Sequence, residues 1–374
     1  ADMEQVSFAP LHSDSRASQQ NTSVLFAAVI DGCRQQTSLP VDNVQEFTES
    51  LATVALKTSN SMQRGVMVRT VATILNKYNR GNVLHDLISK SIVPKLHSII
   101  FTPDPPDSME IDASKEHSGI DAALEMYIWI AKSLVLSVNT MGNDMAMELT
   151  KLFANPQFGR VAANGFAIII GEQKGALTKE LFAVIRLLHK QRFFHQLVPL
   201  LIQGFEASAK GVRQNYLLAL LHVLQNVPHQ LLLAQLPHIL PIVVRSLSAA
   251  DQDIKFNTLL TLQRAIQDAP DLISEQLSTL LPILFSQAEH GVGQEQDAGN
   301  GKEVRVAALE CVATMAQSLP PTLLEPFKEH VLQQSGRLLD DPKRSVRLAA
   351  VGCRDLWFEL GCGSASREMY ITVD

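Results

Sequence analysis

A repeat restricts this chain more than any other feature. "VRQNYLLA" begins at Val212, "IKFNTLLT" at Ile254, "VRVAALEC" at Val304 and "VRLAAVGC" at Val346, so the starts lie 42, 50 and 42 residues apart. The wider gap holds "HGVGQEQDAGNGKE", His290 to Glu303, a Gly-rich polar insert whose surplus restores the period. A fixed period of this length marks a chain built from one supersecondary unit used many times. One residue after each anchor stands a base (Arg213, Lys255, Arg305, Arg347), and seven after, a small residue (Ala219, Thr261, Cys311, Cys353). Sixteen after stands proline in three of the four: Pro228, Pro270 and Pro320. Proline lacks the N–H and clashes with the turn before it, so each unit's first helix has a fixed end. A second apolar stretch follows each time, as in "LLLAQLPHILPIVVRSL" and "TLLEPFKEHVLQQSGRLL".

Within a unit the apolar residues recur with helical spacing: Val304, Ala307, Ala308, Cys311, Val312, Met315, Leu319. Strand-like alternation bounded by turn residues does not occur. These features predict an all-α chain: a HEAT-type α-solenoid, a superhelix of antiparallel helix pairs that bury their apolar faces on one another. Upstream the repeat weakens but persists. "VRTVATILNKYN" begins at Val68 with Arg69 in the basic column, and "SIVPKLHSII" serves as its second helix. "GRVAANGFAIII" (Gly159 to Ile170) and "TKELFAVIRLLHKQRFFHQLVPLLIQGF" (Thr178 to Phe205) are expected to add further helices. Residues 21–361 are expected to form one continuous solenoid with internal loops at 102–119 and 290–303. Residues 1–20 and 362–374 are expected to be flexible. The first loop, "TPDPPDSMEIDASKEHSG", is rich in proline and acid.

Composition narrows the function. Hydrophobic residues make up 46% of the 374, ample for a large folded body. The formal net charge of −6 argues against a general nucleic-acid binder, which needs a basic field over much of its surface. No apolar run is long enough to span a membrane. The first twenty residues lack the apolar core of a secretory signal, and the chain starts at Ala1, as expected of a processed chain or a piece of a longer one. Four cysteines without a C-x-x-C pair suggest a reducing compartment. The histidines show no pair at i, i+3 or i, i+4. "GVGQEQDAGNGKE" has Gln296 where a P-loop needs glycine and Glu303 where it needs Ser or Thr. No H-E-x-x-H or G-x-S-x-G is present. The expectation is therefore no enzyme, no cofactor and no metal, with Cys311, Cys353 and Trp129 as core residues.

The basic run "LDDPKRSVRLAAVGCRDLWFELG", Leu339 to Gly361, is the strongest candidate for a site. The column bases, Arg347 among them, are expected to pair with acids of their own or the neighbouring unit, such as Asp253 and Glu303. Lys343 and Arg344 have no counterpart in the other units. Arg344, Arg347 and Arg354 are spaced to form one ridge. Trp357 and Phe358 stand beside them, and tryptophan with arginine is the composition of interface hot spots. The terminal helix is thus expected to dock a partner protein through Lys343, Arg344, Arg347, Arg354, Trp357 and Phe358. On the second helices, Arg245, Gln287, His330 and Arg337 are expected to face the concave side.

"RFFHQLVPLLIQGFEAS", "VRQNYLLALLHVLQNVPHQLLLAQLPHILPIVVRSLS", "VRVAALECVATMAQSLPPTLLEP" and "LDDPKRSVRLAAVGCRDLWFELG" resemble one family. It is that of the large HEAT-repeat adaptors of the cytosolic iron–sulfur targeting complex, first named from methyl-methanesulfonate sensitivity. The resemblance is close from Arg192 to Gly361 and looser from Asn21 to Gln191. It implies the C-terminal part of a longer protein, and a non-catalytic scaffold that holds no cluster itself. It further implies binding to a small mixed α/β subunit, which holds a WD-repeat propeller. Apo iron–sulfur clients, a repair helicase among them, are implied partners, with residence in cytoplasm and nucleus and no direct contact with nucleic acid or membrane. Two other readings of a solenoid remain: a transport or general protein-interaction adaptor without an iron–sulfur link, and a nucleic-acid-binding solenoid.

Overall fold

A computed structural model describes residues 24–79 except 26, 35, 38, 40 and 42, together with 84–101, 113–290 and 300–360. The expected flexible segments at 1–20 and 362–374 lie outside the described residues, as do 102–112 and 291–299 of the expected loops. The chain divides into two compact units, residues 1–227 and 228–374. Among the described residues there is no strand. The fold is all-α and of the HEAT type, stacked antiparallel helix pairs.

In the first unit the helices are α1 (Val44–Lys57), α2 (Ser61–Tyr78), α3 (Val93–Phe101), α4 (Ala113–Leu136), α5 (Thr140–Leu149), α6 (Gly159–Ile170), α7 (His189–Ala207) and α8 (Lys210–Asn226). Three of them open on asparagine. The Asn43 and Asn60 side chains each accept two backbone N–H groups of the first turn, and Asn139 accepts one. A π-helical turn, Ile88–Ile92, precedes α3. Pro94 has no N–H to offer the Lys90 carbonyl, and the backbone widens just before it. Helix α4 lies at the centre and packs on α2, α3, α5 and α6. Its Tyr127, Ile130 and Ala131 are fully buried and Trp129 is 6% exposed, so Trp129 is a core residue as expected.

Two expectations need correction here. Helix α4 begins at Ala113, so residues 113–119 of the expected loop are helical. The prolines of that stretch all precede Asp112, and nothing after them breaks a helix before Gly119. Conversely, Thr178–Leu188 is not helical; the regular helix starts only at His189. The apolar run "LFAVIRLL" suits a helix, but tertiary pairing holds it in turns and irregular backbone. The Asn76 amide donates to the Val184 carbonyl at 3.1 Å and accepts the Val184 N–H at 2.6 Å. The Arg186 N–H donates to the Leu136 carbonyl at 2.9 Å.

The second unit holds α9 (His229–Ser246), α10 (Gln252–Asp268), α11 (Leu277–Ala288), α12 (Lys302–Ser318), α13 (Pro321–Arg337) and α14 (Arg344–Phe358). Helices α10, α12 and α14 pack in series, and α9, α11 and α13 each pack on the first helix of the following pair. Each of α8, α10, α12 and α14 starts two residues before its anchor, and α8, α10 and α12 each end two residues before the repeat proline. Lys302 already belongs to α12, so the insert closes before 302 and not at 303. Ile254, Val304 and Val346 are at most 1% exposed, and so are Ala219, Thr261, Cys311 and Cys353 of the small column. Burying a Val or Ile side chain stabilises by about 1.5–3 kcal/mol, so three of the four anchors contribute directly to the core, while Val212 is half-buried.

Candidate functional site

Helix α14 carries most of the candidate residues, and it has two unlike faces. Val346, Ala350, Cys353 and Trp357 recur at helical spacing and point inward. Trp357 is 0% exposed, and its Nε1 donates to the Val312 carbonyl of α12 at 2.8 Å. The expectation that Trp357 meets a partner is therefore wrong. It stands eleven residues after the anchor Val346, three turns along the same face, and fills the seam between α14 and α12.

The opposite face is exposed along its whole length. Arg344, Leu348, Val351, Asp355 and Phe358 follow one another at intervals of three and four residues, and all are exposed. Leu348 is 61% exposed, Val351 44% and Phe358 66%. Leu348 and Val351 escaped the sequence reading, although the same spacing counted from Arg344 leads to both.

The expected arginine ridge divides. Arg347 Nη1 donates to the carbonyls of Asp341 at 2.7 Å and Pro342 at 3.2 Å. Arg354 Nη1 donates to the Leu332 carbonyl of α13. Both guanidiniums are thus tied to backbone. Lys343 and Arg344 are exposed at the start of α14. Cations gain nothing there from the helix dipole, whose positive end lies at the N-terminus. Asp341 Oδ1 accepts the Lys343 N–H at 2.8 Å, just ahead of the helix, whose first turn has no side-chain cap.

The basic column also differs from the expected ladder of acid–base pairs. Only Arg305 among the four column bases shows a carboxylate partner, and the acid is Asp341 at 3.1 Å rather than Asp253 or Glu303. Their side chains are 3% and 1% exposed. Arg305 also donates to the Asn300 carbonyl at 2.9 Å and touches His290 Nδ1 at 3.2 Å. Arg213 donates to the carbonyls of Glu206 and Ser208 and stacks its guanidinium over the Phe205 ring. Lys255 donates to Asn300 Oδ1 at 2.7 Å. Carbonyls left over where a helix ends are a natural partner for a cation, which explains why Arg213 and Arg347 need no acid.

On the second helices, Arg245, His330 and Arg337 are exposed. The His330 ring meets Phe285 edge-on at 6.3 Å, and Arg337 donates to Gln334 Oε1 at 3.3 Å. Gln287 is 9% exposed and packs inward, contrary to expectation, because it falls on the Leu280–Leu284 side of α11. Cys311 donates its thiol to the Leu259 carbonyl, and burial pushes its pKa far above the ordinary range. Burial likewise pushes the Cys353 thiol up to about 12. Both are inert core groups. Cys362 lies outside the described residues. Among the described residues no group of three or more His, Cys, Asp or Glu is placed to hold a metal ion. No helix among them is long and apolar enough to cross a membrane.

The family model for the MMS19 C-terminal region, described as "RNAPII transcription regulator C-terminal", matches residues 1–316. The chain belongs to the MMS19 C-terminal family. Members of the MMS19 family run well beyond it. The MMS19 nucleotide excision repair protein homolog of Mus musculus is 28% identical over 354 residues, which is 95% of this chain and 32% of that protein. The DNA repair/transcription protein mms19 of Schizosaccharomyces pombe is 28% identical over 313 residues, 84% of this chain and 29% of its own length. The chain therefore spans about a third of the MMS19 relatives it matches. The MMS19 family match stops at residue 316, inside α12, so α13 and α14 lie beyond it. Among solved structures, Kap121p is similar over 94% of this chain and 33% of its own, with a TM-score of 0.53 and 13% identity. At that identity the likeness is one of fold alone.

Proposed function

We propose that the chain is a non-catalytic docking scaffold, and that the exposed face of α14 is where it holds a partner protein. The observation that carries this reading is the row Arg344, Leu348, Val351, Asp355 and Phe358, with three exposed apolar side chains on a helix whose other face is used in packing. An apolar row flanked by Lys343 and Arg344 has the composition of an interface core with a charged rim. The partner we assign to it is the small mixed α/β subunit of the cytosolic iron–sulfur targeting complex, which in turn holds the WD-repeat propeller. The close resemblance of Arg192–Gly361 supports that assignment for α14, and membership of the MMS19 C-terminal family supports it for the chain up to residue 316. Through this assembly the scaffold would present apo iron–sulfur clients, including a repair helicase, for cluster insertion in cytoplasm and nucleus. Arg245, His330 and Arg337, exposed on the second helices, are the candidates for client contact.

A pull-down on the 374-residue chain tests this. Wild type should retain the small subunit and the propeller, while L348E/F358E and K343E/R344E should lose both. Retention by both variants at the wild-type level would remove α14 as the docking face. Recovery of a small GTPase and transport cargo instead would favour a transport adaptor, for which the likeness to Kap121p offers fold and nothing more.

A further inference from the structure

The first unit carries a second surface with its own chemistry, built from none of the residues assigned to α14. Residues 172–188, between α6 and α7, form no regular helix, yet they are pinned by Asn76 and Leu136. Long ordered connections of this kind are uncommon in compact domains and tend to be functional. Leu177, Phe182 and Leu188 in this arm, and Val138 in the turn between α4 and α5, all hold positive φ, from 54° to 68°. A β-branched valine there is a backbone outlier, and such residues gather at binding sites. Leu187 is 91% exposed and Leu188 60%.

A groove of about 400 Å³ lies where this arm enters α7. Val135 and Val138 supply an apolar floor, Arg192 and His195 of α7 supply cationic or titratable walls, and the Asn143 and Gln196 amides bond to one another across it. No carboxylate lines it, in a chain whose net charge is −6. His189, also in the lining, has its pKa lowered by burial, and the fields of Lys190, Lys132 and Lys179 push the same way. The lining thus carries a cation and no acid where the protein as a whole is negative.

We propose that this groove binds an acidic linear segment of a partner protein. Its carboxylates face Arg192 and His195, one apolar side chain rests on Val135 and Val138, and its backbone meets the Asn143 and Gln196 amides. Nucleic acid fits less well. The lining holds one permanent cation, where a phosphate backbone needs several, and it offers no Phe, Tyr or Trp on which a base would stack. An apolar floor with paired side-chain amides suits a peptide.

Fluorescence anisotropy on the full 374-residue chain tests the proposal. The probes are a fluorescein-labelled decapeptide of repeating Glu-Asp-Leu, its Lys-Lys-Leu counterpart, and a fluorescein-labelled single-stranded DNA. The acidic peptide should bind, the basic one should not, and R192E should weaken binding about tenfold or more. N143A/Q196A should weaken it as well, and L348E on α14 should leave it unchanged, which separates this groove from the face proposed above. Arg192 is exposed, so R192E should keep the wild-type circular dichroism spectrum and melting temperature. Equal binding of the acidic and basic peptides, or no loss in R192E, overturns the proposal. So does DNA that binds more tightly than the acidic peptide and is released by the same substitution.

Discussion

Arg305 and Asp341 form the most demanding contact in the second unit. Arg305 Nε and Asp341 Oδ2 have no hydrogen-bond partner there, so the pair is held by one direct bond plus backbone neighbours. Removing one ion from a buried pair leaves the other uncompensated, which costs about 3–5 kcal/mol. R305M should therefore lose that much in urea denaturation, and R305M/D341L should regain most of it, since a well-packed apolar pair is often neutral. Lys132 is a second buried cation, 2% exposed, donating to the carbonyls of Ile168 and Gly171 at the end of α6. Burial pulls its amine down to about 8, with Lys190 pushing the same way. The unfolded chain keeps that proton to about pH 10.4, so between these values the unfolded state binds more protons and stability rises with pH. Measured against K132M, wild type should gain about 2–3 kcal/mol from pH 8 to 10.4 and show no pH-dependent difference below 8. A flat difference across that window would show that Lys132 is not desolvated. Lys77, 1% exposed, repeats the device by donating to the carbonyls of Ile30, Asp31 and Cys33. Neither lysine belongs to the repeat column, and burial at such spacing has no signal in the sequence.

At the scale of the helix, α14 illustrates how one period assigns two fates. Trp357 shares the face of Val346 and Phe358 does not, although they are neighbours in the chain. W357A should cost about 3–5 kcal/mol in stability, while L348E and F358E should each change it by less than about 0.5 kcal/mol. Thermal melts of the three variants check this, and comparable losses would mean that the outer face is packed. Close approach of helices was less legible. A Cβ on Gly204 of α7 would sit 2.2 Å from Tyr216 Cε1 of α8, and one on Gly165 of α6 would sit 2.6 Å from Ile128 Cδ1 of α4. G204A should therefore destabilise by about 1–3 kcal/mol by denaturant titration, where an ordinary helical glycine would gain from alanine. The second helices also carry interior prolines that the simple breaker rule would forbid: Pro199, Pro237, Pro241, Pro282 and Pro326. All five are on the exposed side, where water takes the carbonyl that each proline leaves free.

For the whole molecule, the acidic balance is the governing quantity. With a net charge of −6 and its column bases each engaged within the chain, Arg213 and Arg347 on backbone carbonyls, Lys255 on Asn300 and Arg305 on Asp341, the chain should give no gel shift with duplex DNA at physiological salt. A tight complex lost on raising the salt would reverse that conclusion. The all-α class, the period and the ends of the repeat helices were open to reading from the residues alone. Apolar spacing and proline act within one helix and its neighbour, so their consequences are local. Tertiary structure decided the rest, because it depends on partners distant in the chain. It drew Thr178–Leu188 out of a helical pattern through Asn76, more than a hundred residues away, and gave Arg305 its acid from the following unit. It buried Trp357 against α12 and left Leu348, Val351 and Phe358 in the open.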